Sequence, residues 1–358
     1  MMIFYWLQYL FVFFLSSLST FKRKAMCFSF ASLWIFLVFF AASRSSKVDL
    51  DYQAYVNYFV KFMSGFNYFT SNRVIFYEPC FYFIPIIGKT LFNPPYDLYA
   101  CFTIFACLGV YFKLKSFQLS NSFFLTMLLY GSSYFILHEM TQIRVGIATG
   151  ILLLSIKPCY NRNLKSFILH ILSACFFHYS SIVFFPLYFL KTKSLNKTFW
   201  LFMIGLGYFL AIINIDILKL THLSSYFVKV ELYTKAAEAH ETHYTINIYN
   251  FGIFISIIMS IVMILKHEML SKFNPYINLI LKINVLSIFA FTALSFLPVF
   301  AGRLSELFAI VQMLMYPTLI YVFREKFVGY AIVIVISFLN FWNFFYHSKL
   351  VFPYSVWW

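Results

Sequence analysis

The chain has 358 residues, 62% of them hydrophobic and only 11% charged, with a mean hydropathy of +0.81. That composition excludes a water-soluble globule, which needs more polar surface than this, so lipid is the expected solvent. The net charge of +15 does not signal nucleic acid, because the 27 Lys and Arg fall in short runs between apolar stretches and form no basic domain.

Crossing about 30 Å of hydrocarbon takes about 20 apolar helical residues, since an open strand or loop would leave backbone groups unpaired. The first apolar run, 3 to 20, starts without a basic leader and is followed by Lys22, Arg23 and Lys24. This is the reverse of the charge order of a cleaved signal peptide, so the run is expected to stay as the first span. Further spans are expected at 26 to 42, 96 to 112, 122 to 137, 140 to 156, 198 to 215, 246 to 265, 277 to 297, 306 to 323 and 327 to 346, ten crossings in all.

Two apolar stretches fit less well: 79 to 92 is short and holds Pro85 and Gly88, while 166 to 190 is long and holds His178 and Pro186. Cytoplasmic loops collect Lys and Arg, and this rule decides their path. With 21 to 24 inside and neither stretch changing sides, the inner loops are 21 to 24, 113 to 115, 157 to 165, 191 to 197, 266 to 272 and 324 to 326, and they hold 15 of the 27 basic residues. Both stretches then read as re-entrant or broken helices. Two long outer loops remain, 43 to 78 and 216 to 245, each too short to bury a core of its own. The expected fold is a single all-α polytopic membrane domain over 1–358, with about 10 transmembrane helices, two re-entrant or broken segments and no internal repeat.

The six cysteines, at 27, 80, 101, 107, 159 and 175, have neither paired nor metal-ligand spacing. Glu238, His240, Glu241 and His243 likewise lack a recognised ligand spacing, and no metal is expected.

An ionisable residue near hydrocarbon is costly unless it is paired or faces a cavity, so each is a functional candidate. In this topology Arg44, Asp49, Asp51, Arg73, Glu78, His138, Glu139, Gln142, Arg144, His178, Arg303 and Glu306 gather near the outer face. Arg144 opens a helix, with Gly146 and Gly150 behind it at a spacing that lets a neighbouring helix approach closely. Its guanidinium either binds a phosphate through parallel donors, snorkels to headgroups, or pairs with an acid such as Glu139. Arg303 opens the span beginning at Glu306 and reads either as a second phosphate clamp or as a local partner of Glu306. His178 is either a group that handles a proton or a buried imidazole satisfying a carbonyl. Asp49, Asp51 and Glu78 are carboxylates able to accept a proton, and Glu78, at the mouth of an apolar segment, needs a partner there.

In this order the residues resemble the EpsG family of polysaccharide polymerases, which belongs with the wider Wzy-type O-antigen and capsule polymerases. Arg44 followed by Asp51-Tyr52-Gln53-Ala54-Tyr55 resembles the family's Arg, then Asp-Tyr-x-x-Tyr, after the second span. Glu78-Pro79-Cys80-Phe81 resembles its Glu-Pro-Gly-Phe, with Cys80 in place of Gly. Gln142-Ile143-Arg144-Val145-Gly146-Ile147-Ala148 resembles Gln-x-Arg-Gln-x-x-Ala, with Val145 in place of the second Gln, and Phe177-His178-Tyr179-Ser180-Ser181 resembles Phe-His-x-Ser-Ala. A looser element is Arg303 leading into the span that ends near Pro317, so the likeness runs over roughly 1 to 320.

The resemblance implies transfer of a growing glycan from one undecaprenyl diphosphate to another lipid-linked repeat unit. The reaction would occur at the outer, periplasmic face of a bacterial inner membrane. It implies His178, Asp51 or Glu78 as the group that positions or deprotonates the attacking hydroxyl, and Arg144, Arg303, Arg44 and Gln142 as contacts to diphosphate or glycan. Partners would be the lipid-linked donor and acceptor, membrane lipid and a chain-length regulator protein, with no cofactor and no nucleic acid. Two other readings stay open: a lipid-linked oligosaccharide flippase, and a ligase-like glycosyltransferase with the same donor. Transporters place polar groups near the bilayer midplane, often in repeated halves, whereas here the candidates lie to one side.

Overall fold

The computed structural model describes residues 3–20, 23–66, 77–213, 215, 246–347 and 350–357. Among these residues the protein is helical, without a β-strand, and two isolated β-bridges are its extended pairings. Five helical stretches are long and apolar enough to cross a membrane: Ile3–Thr20, Tyr96–Leu119, Ile143–Tyr160, Pro298–Tyr321 and Lys326–His347. Four more of the expected crossings are apolar helices of 15 to 17 residues, Met26–Ala42, Lys197–Ile213, Phe251–Leu265 and Ile277–Ala293. The architecture is that of an all-α polytopic membrane protein. The outer loop 216 to 245, with Glu238, His240, Glu241 and His243, lies outside the described residues, as does Arg73.

Contacts gather into two compact units. The first comprises Met1–Tyr188 and Pro317–Trp358. It begins with α1 (Ile3–Ser17) and α2 (Arg23–Ala42). The segment 43 to 78, expected as a loop, contains a helix, α3 (Tyr52–Met63). Its buried Tyr52, Tyr55, Phe59, Phe62 and Met63 form one helical stripe, a half-apolar pattern that a search for continuous hydropathy passes over. Next come α4 (Pro79–Leu91) and α5 (Tyr96–Ser116). α4 starts with Pro at its first position, where the missing N–H costs nothing. Its 13 residues reach about 20 Å, short of a crossing.

Helix α6 (Phe123–Leu129), capped by the Ser122 hydroxyl, widens into two π-helical stretches, Tyr130–Tyr134 and Ile136–Thr141. The wider turns end where the Gln142 N–H donates to the Leu137 carbonyl at 2.7 Å, and α7 (Ile143–Tyr160) starts there. The long stretch 166 to 190 is a broken hairpin: α8 (Leu164–Cys175), a turn at 176–178, then the 3-10 helix Tyr179–Phe189. Its two ends return to each other, because the Arg162 guanidinium donates to the Tyr188 carbonyl and the Tyr188 hydroxyl to the Arg162 carbonyl at 2.8 Å. The segment therefore leaves on the side it entered, with His178 at its tip.

The helix Lys326–His347 completes the unit, joined to α1 and α6 through Ser337, whose hydroxyl meets Tyr9 at 2.9 Å and donates to the Leu128 carbonyl at 2.8 Å. The tail 350–357 then runs back along 43–49. Bridges join Arg44 with Val356 and Asp49 with Val351, and the Tyr354 hydroxyl donates to the Phe40 carbonyl at 2.6 Å.

The second unit, Phe189–Tyr316, contains α9 (Lys197–Ile213), α10 (Phe251–Leu265), α11 (Ile277–Ala293) and α12 (Pro298–Ala309). Its centre is α11, buried nearly all round. Polar side chains there are satisfied within the unit, as hydrocarbon requires. The Asn284 amide donates to Ser260 at 2.7 Å and to Ser256 at 3.2 Å, while the Lys282 ammonium is held by the carbonyls of Lys191 and Ser194.

Candidate active site

Four of the segments singled out by sequence meet within the first unit. Glu78 stands at the N-terminus of α4, Arg144 in the first turn of α7, His178 at the tip of the broken hairpin, and Tyr55 on the buried face of α3. The Arg144 Nη1 lies 2.6 Å from Glu78 Oε2, and His178 Nδ1 lies 3.5 Å from Glu78 Oε1. Tyr55 is hydrogen-bonded to Arg144, and the guanidinium sits 4.6 Å above the Phe81 ring. The hairpin tip is fastened to the start of α4. The Cys80 N–H, one of the donors a helix start leaves unpaired, binds the Phe176 carbonyl at 3.0 Å, and the Tyr179 hydroxyl donates to the Tyr77 carbonyl at 3.0 Å.

Exposure separates the partners. The Glu78 side chain is 4% exposed and that of His178 13%, while Arg144 keeps 31% of its side chain open. A carboxylate lying behind a half-open guanidinium fixes the orientation of the cation and leaves donors facing outward. A guanidinium has five N–H donors, so one ion pair does not exhaust it. Burial alone would raise the Glu78 carboxyl, but the His178 imidazole beside it and the Arg144 charge overcome it and hold the group down at about 2. So strong an acid is a poor proton acceptor near neutrality, which leaves Glu78 suited to orienting its neighbours. Burial pushes the Tyr55 hydroxyl up to about 12 against the pull of the Arg144 charge, so it stays a neutral donor.

Asp51 precedes α3 and is half-buried, one helical turn from Tyr55, whose N–H donates to the Asp51 carbonyl at 3.1 Å. Gln142 is half-buried at the junction between the π-helical stretch and α7. Arg44 is a different kind of arginine. It is wholly buried, with Nε on Asp49 at 2.8 Å, Nη1 on the Ala41 carbonyl at 2.6 Å and Nη2 on the Met140 carbonyl at 2.5 Å, over the rings of Phe102 and Tyr52. Arg303 is exposed and belongs to the second unit. Its helix starts at Pro298, so Arg303 lies within the helix and does not open a span at Glu306.

One group was misread from sequence. Lys113, counted with the inner-loop cations, is fully buried inside α5, within the span Tyr96–Leu119. Its ammonium lies 2.6 Å from Glu139 Oε1 and donates to the Gly146 carbonyl at 2.8 Å. Glu139 is thus the partner of Lys113 and not of Arg144, and its Oε1 also accepts from the Tyr130 hydroxyl at 3.0 Å. Room for this pair comes from Gly109 and Gly146, where an added Cβ would collide with the Glu139 carboxylate. The sequence signal was present as Gly109 four residues before Lys113 and Gly146 seven residues after Glu139.

Among the described residues no cluster of His, Cys, Asp or Glu has a metal-binding arrangement. A model of the EpsG family matches residues 27–356, nearly the whole chain. No curated protein and no solved structure matches it.

Proposed function

The chain belongs to the EpsG family, of Wzy-type polymerase-like proteins, and we propose that it polymerises lipid-diphosphate-linked oligosaccharide repeat units into a surface polysaccharide. The observation that carries this reading is the half-open Arg144 held by Glu78 beside His178, a cation and a proton-handling group fixed at one place. Fixed positive charge in a site shielded from water stabilises charge that develops during reaction, without reorganising as it does so.

In the proposed reaction the hydroxyl at the non-reducing end of one lipid-linked unit attacks the anomeric carbon of the donor. The bond from that carbon to the diphosphate oxygen breaks, and the polyprenyl diphosphate leaves with the electron pair. Arg144 binds the diphosphate through the donors not used on Glu78, with Gln142 beside it on the same turn. His178, oriented by Glu78, takes the hydroxyl proton; the carboxylate of Asp51 is the other acceptor from the same group of segments. The sugar-diphosphate bond is already activated, so the reaction needs no nucleotide. Arg44, with all three of its nitrogens engaged by the protein, is given the role of holding Met140, and Arg303 that of a separate diphosphate contact. The site would face the periplasm of a bacterial inner membrane.

The test is deletion of the gene, followed by electrophoresis of the cell's lipopolysaccharide or capsule, with complementation by wild type, Arg144→Ala, His178→Gln and Asp51→Asn. A ladder reduced to core plus one repeat unit supports a polymerase. Loss of every repeat unit points instead to a flippase or ligase, and an unchanged ladder removes the assignment.

A further inference from the structure

Resting on the polymerase reading, we propose that Lys113 is a positioning residue of the reaction: it holds the turn that presents Arg144, and Glu139 holds Lys113. Both groups lie in or beside apolar helices, where an ionised side chain is retained at a cost that needs a reason. Pairing alone would be satisfied by any acid within reach, but the Lys113 ammonium does more. It donates to the Gly146 carbonyl at 2.8 Å, and that carbonyl belongs to the first turn of α7, two residues beyond Arg144.

On the other side of Arg144, the Met140 carbonyl accepts from Arg44 Nη2 at 2.5 Å. Two buried cations, Lys113 within α5 and Arg44 just past the end of α2, therefore grip the backbone at 146 and at 140, with Arg144 carried between the two grips. The chain between these points changes from π-helical to α-helical turns at Gln142, and helical hydrogen bonding is least regular at such a change.

Everything around Lys113 restricts it to this arrangement. Its 2.6 Å bond to Glu139 Oε1 is backed by the Tyr130 hydroxyl on the same oxygen at 3.0 Å, and its ammonium lies 5.6 Å from the Tyr130 ring centroid. The other carboxylate oxygen, Glu139 Oε2, has no hydrogen-bond partner and lies against Gly109 and Gly146. An acid kept half-satisfied inside a packed core adds little stability for its cost, whereas it serves well to aim an ammonium at one carbonyl. The geometry thus assigns the pair to placement of Arg144 and not to general adhesion between helices.

The test uses full-length protein in lipid nanodiscs, with lipid-linked repeat units extracted from the deletion strain as substrate. Lys113→Met with Glu139→Leu replaces the pair by apolar side chains of similar reach. The expected result is wild-type accumulation and melting temperature, with kcat lower by about 10- to 100-fold and KM for the lipid-linked unit changed less than about threefold, as for a catalytic group misplaced by about 1 Å. Wild-type kcat in that variant overturns the proposal.

Should the double variant not accumulate, Tyr130→Phe removes one hydrogen bond to Glu139 without altering charge. A several-fold fall in kcat at wild-type amount and KM is then expected, and unchanged kcat overturns the proposal. Arg144→Ala is assayed beside them. If it polymerises normally, the polymerase site itself is misassigned; if it is inactive while the Lys113 and Tyr130 variants are normal, only the positioning role falls.

Discussion

Arg44 and Arg144 are both arginines bonded to a carboxylate, yet the structure uses them in opposite ways. The Arg44–Asp49 pair has no exposed side-chain surface, and the nitrogens of Arg44 are engaged by Asp49 and two main-chain carbonyls. The Arg144–Glu78 pair keeps its carboxylate buried and its cation 31% open. The lesson is that pairing does not decide whether a membrane-embedded cation is structural or functional. What decides it is how many donors remain unused by the protein and whether a ligand can reach them. By that criterion Lys113–Glu139, with both side chains fully buried, touches no ligand and, like Arg44, acts only through the backbone it holds.

The comparison is broken most directly by removing one half of a sealed pair. Asp49→Ala or Arg44→Ala strands a buried charge, at a cost of about 3–5 kcal/mol, and the protein is expected to disappear from the membrane fraction on immunoblots. Arg144→Ala is expected to accumulate near wild-type amount while polymerisation falls by about 10²–10³-fold, the loss typical of one electrostatic contact to a transition state. Equal loss of protein in both variants would erase the distinction between sealed and open pairs.

Smaller changes sharpen it. Gly146→Ala places a methyl against the His138 carbonyl and the Glu139 carboxylate and is expected to destabilise by about 1–3 kcal/mol, read as a lower melting temperature in detergent. The smallest effect is that of pH. The folded Glu78 carboxyl titrates at about 2, below its unfolded value of about 4.3. Its stabilising contribution is therefore complete above the unfolded value, declines as pH falls below it and is gone once pH has fallen through about 2. The melting-temperature difference between wild type and Glu78→Gln should be smaller at pH 3 than at pH 5.

Much of this was legible in the sequence because hydrocarbon makes polar residues conspicuous. Glu78, Arg144 and His178 each interrupt or border an apolar run, and the turn-back of 166 to 190 followed from basic residues on both sides of it. What could not be read was which ion meets which. Sequence proximity offered Glu139 to Arg144, but the contact goes to Glu78, 66 residues away, since helix packing sets partners independently of chain distance. Lys113 was hidden for a related reason. A Lys near the end of an apolar run looks like a boundary mark, and only the spaces left by Gly109 and Gly146 show that it turns inward. The helix α3 escaped notice because one face of it is polar.

The tail 350–357 sets an order of events during synthesis. Arg44 and Asp49 are made some 300 residues before Val351 and Val356, whose backbone they bridge. At about 5–20 residues per second the ribosome needs about 15 to 60 s to cover that stretch. From the moment His178 has been made, every member of the Arg144 cluster exists, while the loop carrying Arg44 still lacks its closing partner. The nascent chain thus holds its chemistry in an unlatched form until the tail emerges.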